Sequence, residues 1–137
     1  MILSKTSEYA IRILSYMAST EGELFSAKSI LEKISIPQKY MRRIMTDLSK
    51  HGFIQSVQGR DGGYKFLKSP SEIFVSDIID ALDGMEKFVG CILGFEQCSC
   101  ENPCALHNSY IETKEKLHKT FSQTNLETIK DSAFMRY

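Results

Sequence analysis

Four cysteines in the second half of the chain carry the side chains best suited to chemistry. Cys91, Cys98, Cys100 and Cys104 fall within 14 residues, and His107 follows one helical turn after Cys104. Clustered cysteines in a reducing compartment more often bind a metal or carry out redox chemistry than form structural disulfides. The spacing therefore predicts a site at which thiolates hold a cofactor.

We expect Cys91, Cys98 and Cys104 to be three ligands of that site. His107 is the leading fourth ligand, because it lies one helical turn after Cys104 and both can face one site at a helix start. Amide dipoles at that helix start also favour the Cys104 thiolate. Cys100 is an alternative fourth ligand. The set favours an iron–sulfur cluster, 2Fe–2S before 4Fe–4S, since histidine can replace cysteine in such clusters. Zinc held by the same residues, a metal-free thiol switch and a purely structural loop are the open alternatives.

The first fifty residues contain three segments with helical hydrophobic spacing. We predict helices over 7–18, 27–34 and 38–50, with Thr6 or Ser7 capping the first. Pro37 suits the start of the third helix, because the N–H that proline lacks would be unpaired there. Two short helices joined by a tight turn, the second with exposed cations, indicate a helix-turn-helix.

A glycine-rich hairpin is predicted directly after the helix-turn-helix. Strands over 53–57 and 64–67 flank a segment with three glycines in five positions, 59–63. Glycine suits a hairpin turn that needs positive φ. The pattern predicts a β-wing that presents Arg60 at its tip.

The rest of the chain is predicted to be helical on either side of the cysteine loop. A short helix spans 75–82, with Ser71 or Ser76 near its start, and the loop spans 85–104. A long helix over 105–123 carries a narrow apolar stripe of the kind that packs against another helix. Its apolar positions are Leu106, Tyr110, Leu117 and Phe121, and Leu126, Ile129 and Phe134 suggest a final short helix.

These elements predict a mainly α fold with a small β-wing, which is a winged helix-turn-helix followed by a long C-terminal dimerisation helix. We divide the chain into a DNA-binding domain (1–70), a connecting helix with the cysteine-rich sensor loop (71–104), and a dimerisation helix with the C-terminal segment (105–137).

The charge distribution supports a nucleic-acid interface in the first of these parts. The net charge of the whole chain is zero, but residues 28–68 hold nine basic and three acidic residues. Residues 69–137 are acidic, with six basic and eleven acidic residues. Phosphate binding depends on the local field, so the basic segment can serve it.

The chain resembles the Rrf-two family of bacterial transcriptional regulators, which includes iron–sulfur and nitric-oxide sensors. The resemblance rests on the opening Ser-Glu-Tyr-Ala at 7–10, the turn and helix Ile-Pro-Gln-Lys-Tyr-Met at 36–41, the wing at 57–64, and the cysteine spacing ending in Cys104-Ala-Leu-His107. It implies a homodimer with one winged helix per subunit, a long crossed dimerisation helix and, in many members, an iron–sulfur cluster. It also makes Glu8 of the partner subunit an alternative fourth ligand.

The chain departs from the family pattern at two places. Gln58 stands where many members have an arginine that reaches into the minor groove, and the arginine comes two residues later. The gap from Cys91 to Cys98 is one residue longer than in the iron–sulfur members, and Cys100 is an additional thiol.

We therefore predict a sequence-specific transcriptional regulator, a repressor, that binds an operator in double-stranded DNA and senses iron–sulfur, redox or nitric-oxide status. The alternative is a regulator of the same family that works without a cluster and uses zinc, a thiol switch or a partner protein. The predicted DNA contacts lie on the two helices and the wing: Lys28, Gln38, Lys39, Tyr40, Arg42, Arg43, Gln58, Gly59 and Arg60.

No enzyme motif accompanies these features. The sequence contains no nucleophile elbow, no Walker loop and no dinucleotide fingerprint, so we predict neither an enzyme nor a small-molecule substrate. The first residues lack a signal-peptide pattern, and no apolar run reaches the roughly 20 residues that cross a bilayer. We accordingly expect a cytoplasmic protein without a membrane partner.

Overall fold

The computed structural model describes residues 3–86 and 90–130. Three helices come first: α1 (Lys5–Ser19), α2 (Ala27–Lys33) and α3 (Gln38–Lys50). An antiparallel hairpin, β1 (Ile54–Val57) and β2 (Gly63–Phe66), follows them. A 3₁₀ turn (Pro70–Glu72), α4 (Val75–Leu82), α5 (His107–Gln123) and α6 (Leu126–Lys130) complete the described elements. The structure confirms the mainly helical fold with a two-stranded wing.

One hydrophobic core joins the helix-turn-helix to the end of the chain. The third helix contributes Met41, Ile44, Met45 and Leu48, at the spacing expected for one buried face. Leu126 of α6 is also fully buried in this core. It is placed there by hydrogen bonds that join residues 124–126 to Ile73 and Val75. Helix α6 thus packs against the winged helix. The division of the chain into three parts stays a prediction.

The first helix begins two residues earlier than the sequence predicted. Ser4 is its N-cap and accepts a hydrogen bond from the Ser7 backbone N–H at 3.1 Å. Thr6 and Ser7, the predicted caps, lie inside α1, and the Ser7 hydroxyl is engaged by Asp83 instead. The predicted cap was wrong because a tertiary contact, absent from local sequence, uses that hydroxyl.

Of the two later helix starts, one was predicted correctly and one was not. The α4 helix begins at Val75, as predicted, with Phe74 as its N-cap residue, and the Asp77 carboxylate accepts the hydrogen bond of the Phe74 N–H. Ser71 and Ser76, which lie near this start, are not its N-cap. The α5 helix begins at His107 and not at residue 105, and Leu106 is 43% exposed. Phe134, predicted to belong to the last helix, lies outside the described residues.

The wing is joined to the helical part by a short bridge that the sequence did not indicate. Phe25 and Tyr64 exchange two backbone hydrogen bonds, from Phe25 N to Tyr64 O (2.9 Å) and from Tyr64 N to Phe25 O (2.8 Å). The Phe25 ring also packs edge-on against Tyr16 of α1. The bridge attaches β2 to the segment before α2, so it sets the position of the wing relative to the helix-turn-helix. Among the described residues, no helix is long and apolar enough to cross a membrane.

Candidate nucleic-acid interface and thiol site

The third helix separates a buried apolar face from an exposed polar one. Because its apolar side chains fill the core, the opposite face is left to solvent, and this face carries long polar side chains. The predicted DNA-contacting residues on it are all exposed: Gln38, Lys39, Tyr40, Arg42 and Arg43. An exposed helix face with two adjacent arginines can reach base edges in a major groove.

Tyr40 differs from the other residues of this face because part of its side chain packs inside the protein. The residue is 37% exposed, and its ring packs edge-on against the Tyr9 ring, with 5.4 Å between the centroids. The hydroxyl oxygens of Tyr40 and Thr6 lie 3.3 Å apart. Tyr40 therefore joins the start of α3 to α1, and part of its surface stays open to solvent.

The wing presents its turn to solvent. Gln58, Gly59 and Arg60 are all exposed, and Gly59 has φ +113°, a conformation that glycine adopts readily. The turn closes through a hydrogen bond from Gly62 N to Gly59 O at 3.1 Å. Lys28, on α2, is exposed as well. The predicted DNA contacts are thus accessible on α2, α3 and the wing, and their roles in binding are proposals.

Three of the four thiols converge at the start of α5. The Sγ atoms of Cys91, Cys98 and Cys104 all lie within 4.8 Å of one another, and those of Cys91 and Cys104 are 3.5 Å apart. All three side chains are partly buried. Residues separated by up to 13 positions meet here because the loop folds back on itself before α5 begins. Soft thiolate ligands in this arrangement suit an iron–sulfur cluster or zinc.

His107 lies beside this trio and between two thiols. Its Nδ1 atom is 3.4 Å from Cys98 Sγ, and its Nε2 atom is 3.6 Å from Cys100 Sγ. Cys100 is exposed, unlike the three converging cysteines. Glu8 is in α1 and forms an ion pair with Lys5 at 2.7 Å. The candidates for the fourth ligand are His107, Cys100 and Glu8 of the partner subunit, and the choice among them is a proposal.

The local environment separates the acidities of two of the thiols. Desolvation acts to raise the pKa of Cys91, but hydrogen bonds from the backbone N–H groups of Phe95 and Leu93, and those with the neighbouring thiols, lower this pKa to about 7. The backbone N–H of Cys104, 3.4 Å from Cys98 Sγ, lowers the pKa of Cys98. Partial burial and the neighbouring thiols outweigh it, so the pKa of Cys98 is raised.

The hydrogen bonds to sulfur also bear on a bound cofactor. Backbone N–H groups that point at thiolates stabilise negative charge there, and they tune the reduction potential of iron–sulfur clusters. The Cys104 N–H directed at Cys98 Sγ is such a group. The residues present therefore fit a thiolate-bound cofactor both in ligand type and in the backbone hydrogen bond to a ligand sulfur.

Two features near these sites were not anticipated from the sequence. Asp83, at the end of α4, accepts hydrogen bonds from the hydroxyls of Ser4 and Ser7. The thiol loop and the start of α5 also expose large apolar side chains, which are Ile92, Leu93, Phe95 and Leu106. The apolar residues of the loop are visible in the sequence, but the contact of Asp83 with α1 joins residues more than 75 positions apart.

Comparison with known proteins agrees with this architecture. Residues 3–132 match the family model Rrf2, described as an iron-dependent transcriptional regulator. A putative helix-turn-helix-type transcriptional regulator of Aquifex aeolicus is 35% identical over 96% of this chain and 90% of its own length. The transcriptional regulator NsrR of Geobacillus kaustophilus is 27% identical over 99% of this chain and 95% of its own length.

A solved structure supports the same assignment. CymR, the global cysteine regulator of B. subtilis, superposes with a TM-score of 0.76 at 26% identity, covering 93% of this chain and 95% of that one. These relatives are transcriptional regulators and not enzymes, which agrees with the absence of enzyme motifs. The match extends across the helix-turn-helix, the wing, the thiol loop and α5. The protein belongs to the Rrf2 family of transcriptional regulators, the family that its sequence resembles.

Proposed function

We propose that this regulator binds an operator in double-stranded DNA as a homodimer, represses transcription there, and senses its signal through an iron–sulfur cluster at the thiol site. The observation that carries the cofactor proposal is the convergence of three partly buried cysteine Sγ atoms within 4.8 Å at the start of α5. The iron-dependence in the description of the family model supports it. A regulator of chromosomal DNA works in the cytoplasm, where we place this protein.

Within this proposal Cys91, Cys98 and Cys104 hold the cluster, with His107 as the fourth ligand. These residues would hold a cluster that, when bound, would supply electron transfer and reactivity towards small molecules such as nitric oxide. The residues of this chain orient the thiolates, donate a backbone hydrogen bond to Cys98 Sγ, and keep the three sulfur atoms partly shielded from water.

Purification without oxygen tests the cofactor. We expect a coloured protein with iron and sulfide in equal amounts, and loss of both when Cys104 is changed to serine. The Ser109→Ala variant is the control, because Ser109 is exposed near the start of α5 and carries no thiol. The Cys100→Ser variant tests separately whether Cys100, rather than His107, is the fourth ligand. An anaerobic protein that contains zinc and no iron would overturn the cluster proposal.

The DNA-binding residues can be tested independently of the cofactor. Each bidentate arginine contact with guanine contributes about 1–3 kcal/mol of discrimination, so the Arg42→Ala and Arg43→Ala double variant should lose at least tenfold in operator affinity. Changing Lys116 and Lys119, two exposed cations of α5, to alanine removes the same charge and is the matched control. Operator affinity is measured by fluorescence anisotropy, after size-exclusion chromatography shows that each variant is still a dimer. Unchanged affinity in the arginine variant would contradict these roles.

A metal-free thiol switch is the second candidate, and one distance favours it. The Sγ atoms of Cys91 and Cys104 are 3.5 Å apart, so a disulfide would need a modest further approach. Its formation would release two electrons and two protons to an oxidant such as a peroxide or an organic disulfide. A CymR from this family is named a global cysteine regulator. Mass spectrometry of the peroxide-treated, metal-free protein would detect a Cys91–Cys104 disulfide, and its absence would exclude this candidate.

A further inference from the structure

Asp83 makes a close contact between the end of α4 and the start of α1. One oxygen of its carboxylate, Oδ2, accepts hydrogen bonds from the hydroxyls of both Ser4 and Ser7, each at 2.5 Å. Ser4 in turn caps α1 by accepting the Ser7 backbone N–H. Two hydroxyls at the first turn of α1 therefore bond to a single carboxylate oxygen, and the Ser4 hydroxyl also holds the Ser7 N–H.

The burial of this contact makes the Ser7 hydroxyl dependent on Asp83 as its acceptor. Ser7 is completely buried, so its hydroxyl has no water to bond if Asp83 is removed. Hydrogen bonds to a charged acceptor are shorter and stronger than those between neutral groups. The carboxylate also lies at the N-terminal end of α1, where the helix dipole stabilises negative charge. Neither ion pair found among the described residues, Lys5–Glu8 or Lys130–Glu127, includes Asp83. The hydroxyls of Ser4 and Ser7 are therefore its donors at this contact.

The same part of α1 also contacts the start of α3, the helix that carries most of the predicted DNA-contacting residues, which we call the recognition helix. Thr6, the residue before Ser7, places its hydroxyl 3.3 Å from that of Tyr40. The Tyr9 ring, in the next turn, stacks edge-on against the Tyr40 ring. Because Tyr40 belongs to the first turn of α3, a displacement of the first turn of α1 would move the part of α3 that carries the predicted base-reading residues.

Asp83 also stands where the fold turns towards the thiol loop. It is the C-cap residue of α4, and Gly84 follows it with φ +81°. Cys91 comes eight positions after Asp83 in the sequence. The other face of α4 packs against α5, with Ile79 and Val75 against Leu117 and Phe121. The α4 end is therefore linked through the chain to the first thiol, and by packing to the helix that follows the last.

We propose that Asp83 is a positioning residue for DNA binding. Through Ser4 and Ser7 it fixes the first turn of α1, and through Tyr40 this turn fixes the start of α3. Changes in the thiol loop thereby reach the recognition helix. The transmission rests on the proposed sensing function. The positioning of α3 by Asp83 does not, and it can be tested alone.

Hydrogen–deuterium exchange of the metal-free dimer tests the positioning. In Ser7→Ala and Asp83→Asn, amides of residues 4–9 and of residues 38–42 should both exchange at least threefold faster than in the wild type. Asp80→Asn is the matched control, because Asp80 is an exposed carboxylate on the same helix that accepts the hydrogen bond of the Met85 N–H. Tyr40→Phe removes the hydroxyl next to Thr6 and should affect residues 38–42 while leaving residues 4–9 unchanged.

A binding experiment on the same variants tests the transmission. Operator affinity is compared between protein reconstituted with iron and sulfide and metal-free protein, and couplings of this kind are typically 5- to 150-fold. Ser7→Ala and Asp83→Asn should bring this ratio at least fivefold closer to one, while the visible spectrum of the reconstituted protein stays that of the wild type. Equal affinities in the two wild-type forms would overturn the proposed sensing function and the transmission. Faster exchange confined to residues 4–9 would overturn the positioning of α3, whatever the affinity ratio.

Discussion

The position of the wing depends on a close approach of two backbone segments at Gly63, and the Gly63→Ala substitution tests it. A Cβ atom added at this position would lie 2.4 Å from the carbonyl oxygen of Phe25 and 2.8 Å from its carbonyl carbon. Both atoms belong to the backbone, so no flexible side chain can move away. Ordinary contact begins at 3.4 Å, so β2 would have to shift by about 1 Å relative to residue 25.

The free-energy cost follows from the bonds beside that contact. The two backbone hydrogen bonds between Phe25 and Tyr64 are 2.9 and 2.8 Å long, and a shift of this size would weaken both. At about 0.5–1.5 kcal/mol for each hydrogen bond, Gly63→Ala should lower the free energy of unfolding by about 1–3 kcal/mol. Because the bridge holds the wing against the segment before α2, operator affinity should fall as well.

Urea denaturation at one fixed protein concentration measures the stability, and fluorescence anisotropy measures the operator affinity. Ser56→Ala is the matched control, since Ser56 is exposed on β1 opposite Tyr64 and should change stability by less than about 0.5 kcal/mol. A Gly63→Ala protein with the stability and operator affinity of the wild type would show that the Phe25 bridge does not position the wing.

Three further predictions follow from the core, the thiols and a helix cap. Met45→Ala should lower the free energy of unfolding by about 2–5 kcal/mol because Met45 is completely buried, whereas Thr46→Ala, at an exposed position, should lower it far less; equal urea midpoints would contradict this. In metal-free protein, alkylation of Cys91 by iodoacetamide should be half-maximal near pH 7, because its lowered pKa makes the thiolate available there and the thiolate is lost at lower pH. Cys98, which has a raised pKa, should react more slowly at pH 7. Equal rates for the two thiols, measured by peptide mass spectrometry, would refute the assigned environments. Ser26→Ala should cost about 1 kcal/mol of unfolding free energy, because the Ser26 side chain accepts the Ser29 N–H at the start of α2, and an unchanged value would show that this cap is dispensable.

Much of the fold could be predicted because its signals are local in the sequence. The third helix was predicted with its observed bounds, since its apolar residues recur at helical spacing and Pro37 precedes it. The wing strands were predicted within one residue of their ends, because glycines mark the turn. The convergence of Cys91, Cys98 and Cys104 agrees with the interpretation of their spacing, although their role as ligands stays a prediction.

The features that sequence reasoning missed are contacts between distant segments. Ser7 is a reasonable helix cap by residue type, but Asp83 engages its hydroxyl, and Ser4 takes the cap position. No periodicity or local motif signals a bond that joins residues 76 positions apart. The Phe25–Tyr64 bridge is a similar case, because one bridging pair is too short to give an alternating pattern.

The two proposed sites differ from the contacts that connect them in how far apart their residues lie in the sequence. A DNA reader and a thiol site can each be built from short segments, so each leaves a recognisable local pattern. The communication that we propose between them depends on tertiary contacts, because these join the elements that lie between the loop and α3. The Asp83 contact and the Tyr40 contact meet on one turn of α1. Substitutions in that turn, rather than in either site, should therefore leave cofactor binding intact and change its effect on DNA binding.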